Sequence, residues 1–190
     1  MCSEEWKQER NRMLHLCNEE SRELTRASIE GALLQLLQEK DFQEISVTDI
    51  AKKAGVSRGA YYRNYDSKED IFRCILRQKF QKIHDRMVKQ FNEADISAFW
   101  QGMFEGISEE KDFFMLATQI GQEFSLLENA NRMAAIFIQG YNNFSYYQTL
   151  YFAGAFFNVI IGWLKSGTKE SPDEMAMMMP KLGNPPENSI

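Results

Sequence analysis

Apolar residues recur along most of this chain at the spacing of an α-helix. The pattern is clearest between residues 24 and 39, where the apolar positions follow the i, i+4, i+7, i+8 spacing of a helix with one buried face. These positions are Ile29, Leu33, Leu36 and Leu37. No segment alternates apolar and polar residues as a half-buried strand does. The pattern therefore predicts an all-α fold.

Two capping signals frame a short segment in the first half of the chain. Ser46 followed by Asp49 predicts a capping box at the start of one helix, and Gly55 predicts the left-handed residue that ends it. Ser57 then predicts the N-cap of a second helix, Arg58 to Tyr65. A helix, a tight glycine turn and a second helix form the helix-turn-helix, whose second helix enters the major groove of DNA.

Helical spacing returns in every later segment. The chain has no proline before Pro172, which favours long helices. Pro172 follows Ser171 at a first helical position, with Glu174 at the third, and predicts the start of a short last helix. The predicted later helices are Lys68 to Asn92, Ile96 to Ile107, Glu109 to Gln122, Leu126 to Asn142, Tyr146 to Lys165 and Pro172 to Met179.

Four regions follow from these patterns. Residues 1–21 are polar with scattered apolar positions, and they predict either a helical extension or a loosely ordered arm. Residues 22–72 predict a three-helix DNA-binding domain, and residues 73–180 predict a second helical domain. Residues 181–190 predict a flexible tail.

The charge of the chain is unevenly distributed. The net charge of −5 would disfavour DNA binding if it were spread uniformly. Residues 22–90, however, hold 14 Lys and Arg against 10 Asp and Glu, whereas the rest of the chain holds 8 against 17. A basic excess around the helix-turn-helix suits contact with DNA phosphates.

Several other functions lack the residues that they need. Three cysteines without CxxC spacing and two histidines give no ligand set for a metal site. No nucleophile–base arrangement or phosphate-binding loop is visible, so we expect neither an enzyme nor a cofactor. The N-terminus shows no signal-peptide pattern, and the longest apolar run, Leu150 to Leu164, is too short to span a membrane. We therefore expect a cytoplasmic protein with reduced cysteines and no membrane partner.

The residues around the predicted helix-turn-helix resemble one protein family. The stretch Ile50 to Tyr65, IAKKAGVSRGAYYRNY, followed by Ser67 to Phe72, SKEDIF, is similar to the DNA-binding domain of the TetR family of regulators. Ala60 stands where the family often has threonine, and Tyr61 stands where it often has leucine. Both departures lie in the predicted recognition helix, so they bear on the operator sequence.

The resemblance implies roles for individual residues. Tyr62 matches the family's tyrosine that packs on the DNA backbone, Lys68 matches a phosphate-contacting lysine at the start of the fourth helix, and Thr48 lies where the second helix meets phosphate. Arginine and asparagine side chains of the recognition helix would face guanine and adenine edges or the flanking phosphates. The complete set predicted to contact DNA is Ser46, Thr48, Lys52, Ser57, Arg58, Gly59, Tyr61, Tyr62, Arg63, Asn64 and Lys68.

The C-terminal part also resembles known regulators. The stretch Tyr151 to Leu164, with Gly167 and Ser171 to Met175, is similar to C-terminal domains of some TetR regulators, among them activators of dihydroxyacetone kinase operons. The helix that contains the first stretch is apolar on most faces, so it must be buried on several sides. It predicts either part of a four-helix dimer bundle or a central helix within one subunit. The predicted dimer contacts are Tyr151, Ala155, Val159, Gly162 and Trp163.

The region between residues 99 and 147 is rich in aromatic residues and methionine. In the TetR family a pocket in this region binds a small molecule, and such side chains line adaptable apolar pockets. The same residue types also form ordinary cores, and this alternative stays open for each of them. The predicted pocket residues are Trp100, Phe104, Phe114, Gln119, Phe124, Phe137 and Tyr141.

Together these patterns predict a homodimeric transcriptional regulator that binds a palindromic operator on double-stranded DNA, with residues 73–180 as the regulatory and dimerisation domain. The predicted mode is repression, released by a small apolar or aromatic effector that favours a conformer with mis-spaced DNA-binding heads. Two alternatives stay open. One is an activator with the same DNA-binding head, and the other is a partner-binding protein that keeps the fold without binding DNA.

Overall fold

The computed structural model describes the backbone of residues 2–90, 96–138 and 145–182, and their side chains except at 2–11, 13–17, 90, 96 and 136–138. Every regular element within these ranges is helical, which confirms the all-α prediction. In chain order the helices are α1 Cys2–Leu36, α2 Val47–Ala54, α3 Arg58–Tyr62, α4 Lys68–Gln90, α5 Ile96–Glu109, α6 Lys111–Gln119, α7 Glu123–Ile138, α8 Tyr146–Lys165 and α9 Pro172–Leu182. A 3-10 turn, Phe42–Glu44, joins α1 to α2.

The first helix is longer than its apolar stripe. It begins at Cys2, so the backbone of the predicted N-terminal extension is helical. The side chains from Asn18 to Leu24 are all exposed, and among the side chains that the structure describes the first fully buried one is Ile29. Apolar periodicity marks only the part of a helix that packs against other residues, which is why it predicts a later start.

The first of two compact units covers Met1–Ile75. Its core combines residues from α1, α2 and the first turns of α4, with Leu33, Ile50 and Phe72 all at 0% exposure. Burial of each such side chain contributes about 1.5–3 kcal/mol, so these residues stabilise the packing of α2 on α1.

The second compact unit covers Leu76–Ile190. In it α5 packs along α9, and α7 packs along α8. Aromatic rings fill the interior, and the Phe104 ring meets the Trp163 ring edge-on at 5.3 Å between centroids. A Cβ atom at Gly106 would lie 3.1 Å from Cγ1 of Ile83, so any other residue here would require the Ile83 side chain to shift.

The later helices lie close to their predicted positions. The predicted helix Glu109 to Gln122 is α6, and the predicted helix Leu126 to Asn142 is α7, which begins three residues earlier, at Glu123. The last helix extends past its predicted end and holds Pro180 within its final turn. Most of the predicted tail, residues 183–190, lies outside the described residues. None of the described helices combines the length and the apolar character that a membrane crossing demands.

Candidate nucleic-acid interface

The start of α2 is fixed by a reciprocal cap. Ser46 Oγ accepts a hydrogen bond from the Asp49 backbone N–H, and the Asp49 carboxylate accepts from the Ser46 backbone N–H at 3.0 Å, which confirms the predicted capping box. The same carboxylate accepts a hydrogen bond from Lys40 Nζ at 2.8 Å. The Lys40 ammonium, followed by the two Ser46 donors, holds the pKa of Asp49 well below its usual value.

The turn between α2 and α3 depends on a left-handed glycine. Gly55 has φ 68° and ψ 27°, a conformation that costs an L-residue with a side chain. The Val56 N–H donates to the Ala51 carbonyl at 3.0 Å and closes the end of α2. Ser57 then caps α3 by accepting from the Ala60 N–H at 3.1 Å. The helix–glycine–helix prediction is confirmed.

The recognition segment is a five-residue helix followed by a turn. α3 ends at Tyr62, whereas the sequence predicts a helix up to Tyr65. The chain still turns tightly beyond it, because the Asn64 and Tyr65 N–H groups both donate to the Tyr61 carbonyl. The predicted contact residues up to position 64 therefore stay on one compact segment.

The inner face of this segment is aromatic and buried. Tyr61 is 0% exposed and Tyr65 is 2% exposed. Burial, with a smaller contribution from nearby Tyr62, raises the pKa of Tyr61 to about 12, so its hydroxyl stays protonated. The prediction that Tyr61 faces DNA is wrong, because its ring is part of the core that supports α3.

Tyr65 ties the end of the recognition segment to α1. Its hydroxyl accepts a hydrogen bond from Arg26 Nε at 3.2 Å and donates a short one to Glu30 Oε1. The Arg26 guanidinium lies 5.0 Å from the centre of the Tyr65 ring. Burial, together with the bond to Glu30, raises the pKa of Tyr65 well above its usual value. Arg26 and Glu30 were missed from the sequence alone, although their i, i+4 spacing on α1 could have indicated a shared contact.

The outer face of the same segment is exposed and cationic. Arg58 and Arg63 are exposed, and Tyr62 is 51% exposed. Lys52 and Thr48 are exposed on α2. The fold therefore presents two arginines, a lysine, a hydroxyl and a tyrosine on the surface of the two helices of the motif.

Four more predicted contacts have mixed surroundings. Ser46 and Ser57 are exposed, but their hydroxyl oxygens already serve as helix caps. Gly59 is exposed on α3. Asn64 is half-buried and donates from Nδ2 to the carbonyl of Ala60, four residues earlier, at 2.8 Å. Contact of these four residues with DNA stays a prediction.

Lys68, at the start of α4, is half-buried. Its ammonium group donates to three main-chain carbonyls in the turn before α2, those of Phe42, Gln43 and Ile45. These three hydrogen bonds use all three protons of the ammonium group. The phosphate contact that the resemblance implies would therefore require Lys68 to give up one of them.

The predicted pocket residues divide into interior and surface positions. Phe104 and Phe114 are buried, and Trp100 is half-buried with its ring centre 4.7 Å from that of Phe156. Phe124 is 78% exposed and Gln119 is exposed, so neither lines the interior of the second unit, and their prediction as pocket residues is corrected. The Phe137 side chain and Tyr141 lie outside the described residues.

The predicted dimer contacts also divide. Tyr151, Ala155 and Gly162 lie on the outer side of α8 with partial or full exposure, and Val159 is half-buried. Trp163 is 3% exposed, and its indole N–H donates to the Glu170 carbonyl at 2.9 Å. Trp163 therefore belongs to the core of its own subunit, and its prediction as an interface residue is wrong. Tyr147, which is 79% exposed one turn before Tyr151, was missed from the sequence alone.

Two protein-family models match the chain. Residues 31–75 match the model described as bacterial regulatory proteins, tetR family. Residues 94–184 match the model described as transcriptional regulator C-terminal region. The first match contains α2 and α3, and the second covers most of the second unit.

Individual relatives are more distant. An uncharacterized HTH-type transcriptional regulator of Bacillus subtilis, YxbF, is 23% identical over 84% of this chain and 45% of its own length. The fatty acid metabolism regulator protein of the same organism is 28% identical over 55% of this chain and 46% of its own length. The chain thus matches less than half of either relative. Among solved structures, the dihydroxyacetone kinase operon activator DhaS aligns with a TM-score of 0.58 at 18% sequence identity. The alignment covers 83% of this chain and 93% of the DhaS chain, which shows a shared fold.

Proposed function

Because the chain belongs to the TetR family of bacterial regulatory proteins, we propose that it is a non-catalytic transcriptional regulator that binds a palindromic DNA operator through α3. The single observation that supports this most is the contrast between the two faces of the recognition segment, which is α3 and the turn that follows it to Tyr65. The inner face is held rigidly by buried Tyr61 and by Tyr65, while the outer face exposes Arg58 and Arg63. A short helix with one anchored face and one cationic face suits insertion into the major groove.

The exposed cations serve two kinds of contact in this proposal. A guanidinium group pairs with guanine in the groove through two parallel hydrogen bonds, and this is the role proposed for Arg58 and Arg63. Lys52 and Thr48 contact phosphates at the edge of the groove, and Tyr62 packs its ring on the sugar-phosphate backbone. Phosphate contacts set the position of the helix, and base contacts set the preferred sequence.

The proposed operator is a palindrome because the proposed active species is a homodimer. Five positions of α8 that are exposed or half-buried follow helical spacing along one face: Tyr147, Tyr151, Ala155, Asn158 and Gly162. Two of them are tyrosines that are more than 70% exposed, at 79% and 72%. The small residues that follow let a second helix approach closely, so the same face of a second copy fits this surface.

A small apolar effector is the proposed signal. Among the described residues, no polar or charged side chain is fully buried, so an effector bound inside the second unit meets mainly aromatic and aliphatic groups. The name of the fatty acid metabolism regulator among the relatives is in keeping with an apolar signal. We place the protein in the cytoplasm, with its DNA.

Repression is the proposed mode of regulation. Occupation of an operator that overlaps a promoter needs only DNA binding, whereas activation also needs a surface that recruits the transcription machinery. A reporter gene behind the operator distinguishes the two, because loss of the protein raises expression under repression and lowers it under activation.

The test of DNA binding is a selection from a random duplex library with the full chain. The wild-type protein and the Arg58→Ala/Arg63→Ala variant are compared with an Arg77→Ala/Lys111→Ala variant, which removes the same charge from exposed positions of the second unit. We expect the wild type and the control variant to enrich one palindrome, and the α3 variant to enrich none.

Two results would contradict the proposal. Equal enrichment by all three proteins would move the binding surface away from α3. No enrichment by the wild type, with or without a library of apolar small molecules, would favour the alternative of a partner-binding protein with this fold.

A further inference from the structure

The ammonium group of Lys68 has an unusual environment for a residue at the start of a helix. Its Nζ lies 2.6 Å from the Phe42 carbonyl oxygen and 3.0 Å from those of Gln43 and Ile45. It also lies 4.9 Å from the centre of the Phe42 ring. A lysine ammonium has three protons, and each has a carbonyl acceptor here.

The three carbonyls belong to the turn that leads into α2. Within the turn, the Ile45 N–H donates a hydrogen bond to the Phe42 carbonyl at 3.3 Å. A carbonyl oxygen can accept two hydrogen bonds, so the Phe42 carbonyl can also accept one from Lys68. Phe42 and Ile45 are buried at 4% and 2% exposure, so their carbonyls have limited access to water. Ile45 is followed directly by Ser46, the N-cap of α2. The ammonium therefore joins the first residue of α4 to the residues that set where α2 begins.

We propose that Lys68 is a positioning residue of the DNA-binding unit, and that it holds the turn between α1 and α2 without contacting a phosphate. This inference rests on the proposed function, since it names what Lys68 contributes to operator binding. A charged donor shared among three carbonyls gives strong hydrogen bonds. Movement of the ammonium away to a phosphate would take a donor from the buried Phe42 and Ile45 residues as well as from the exposed Gln43. The position of α2, and with it Thr48 and Lys52, then depends on Lys68.

The test compares Lys68→Met with Lys52→Met. Each variant removes one ammonium group and keeps a long side chain, but Lys52 is exposed on the outer face of α2. For each full-length protein, the unfolding midpoint in urea is measured, together with affinity for the selected palindromic duplex over a salt series, at temperatures where the protein is folded.

We expect the two variants to differ in both readouts. Lys68→Met should unfold at lower urea, and its affinity at fixed salt should fall by about tenfold, because binding must then order a loosened turn. The salt dependence should stay unchanged, because the bound complex keeps the same phosphate contacts. Lys52→Met should unfold like the wild type, and the slope of log affinity against log salt should become shallower by about 0.9 for each phosphate that the protein no longer neutralises.

Three results would overturn the positioning role. A shallower salt slope for Lys68→Met would mean that Lys68 contacts a phosphate. Unchanged affinity in the folded variant would mean that the turn does not govern operator binding. Equal unfolding midpoints for Lys68→Met and the wild type would mean that the three hydrogen bonds do not hold the turn. This stability measurement needs no DNA, so it tests the positioning role even if the selection recovers no duplex. Failure to recover a duplex would count against the proposed function itself.

Lys68→Arg is the second variant, in case Lys68→Met does not fold. It keeps the positive charge, so a phosphate contact would survive, but a planar guanidinium cannot direct its protons at three converging carbonyls. We expect lower stability and lower affinity with an unchanged salt slope. Wild-type stability and affinity in Lys68→Arg would contradict the proposal.

Discussion

Two exposed helix faces, one in each unit of the chain, differ in their chemistry. The outer face of the recognition segment, residues 58–65, carries Arg58 and Arg63, whereas the exposed face of α8 carries Tyr147 and Tyr151. Charged groups attract an oppositely charged partner, and dissolved salt weakens this attraction. Aromatic groups instead favour association because their removal from water lowers the free energy. In the proposed function, the first face therefore suits DNA and the second face suits a second copy of the chain.

The largest expected difference between the two faces is their response to salt. Raising the salt concentration from about 50 to about 200 mM should lower operator affinity by about a thousandfold, because bound phosphates release their counterions. Dimer dissociation, measured by sedimentation over the same range, should change by less than about threefold, because apolar burial is not screened. A dimer as sensitive to salt as the operator complex would remove the distinction between the faces.

The next largest effect is expected from charge placed on the aromatic face. Tyr147→Glu/Tyr151→Glu should convert the protein to a monomer and lower operator affinity by about a hundredfold, since one half-site loses the support of the other. Sedimentation and operator titration measure the two effects. Val88→Glu, at another exposed apolar position on α4, is the matched control and should leave both unchanged. A dimeric double variant would show that α8 does not form the interface.

A smaller effect concerns the carboxylate that holds α2 in place. Because the pKa of Asp49 in the folded protein lies below its ordinary value of 3.8, the ionised group stabilises the fold at neutral pH. That contribution is lost as pH falls through the lower pKa. Asp49→Asn should therefore lower the melting temperature at about pH 7, and its difference from the wild type should shrink below about pH 4. Asp112→Asn, at an exposed position on α6, is the control. If the difference in melting temperature between Asp49→Asn and the wild type stayed constant with pH, the ionised Asp49 carboxylate would not be the stabilising group.

The smallest effect separates the two faces of α3 itself. Among the described residues, no group hydrogen-bonds to the buried Tyr61 hydroxyl. Tyr61→Phe should therefore raise the free energy of unfolding by about 1 kcal/mol and leave operator affinity unchanged. Tyr62→Phe removes the exposed hydroxyl and should do the reverse, with weaker operator binding at equal stability. Urea unfolding and operator titration measure both, and a loss of affinity in Tyr61→Phe would place that ring in the DNA contact.

Much of the first unit follows from short-range signals in the sequence. Ser46 with Asp49, Gly55 and Ser57 each fix the backbone within four residues, so their structural roles are visible without knowledge of the rest of the fold. The all-α class follows from helical spacing for the same reason. These features depend on local geometry, which neighbouring residues determine by themselves.

The missed or wrong assignments depend on contacts between distant residues. Lys68 meets carbonyls that lie 23 to 26 positions earlier. Tyr61 is buried and Tyr62 is exposed, and the sequence cannot decide between them because both are tyrosines on the same short helix. Trp163 packs on Phe104, far from it in the sequence, so helical spacing on α8 alone could not separate the core side from the exposed side.

The exposed tyrosines of α8 have a consequence for how the proposed regulator responds to its own abundance. A single copy leaves this face uncovered, and only a pair presents two reading helices at once. When copies are scarce, the number of pairs rises with the square of the number of chains, so a twofold change in synthesis changes operator occupancy up to about fourfold. In the proposed regulator, the strength of the contact between two α8 faces thus sets the cellular concentration at which a gene begins to be controlled.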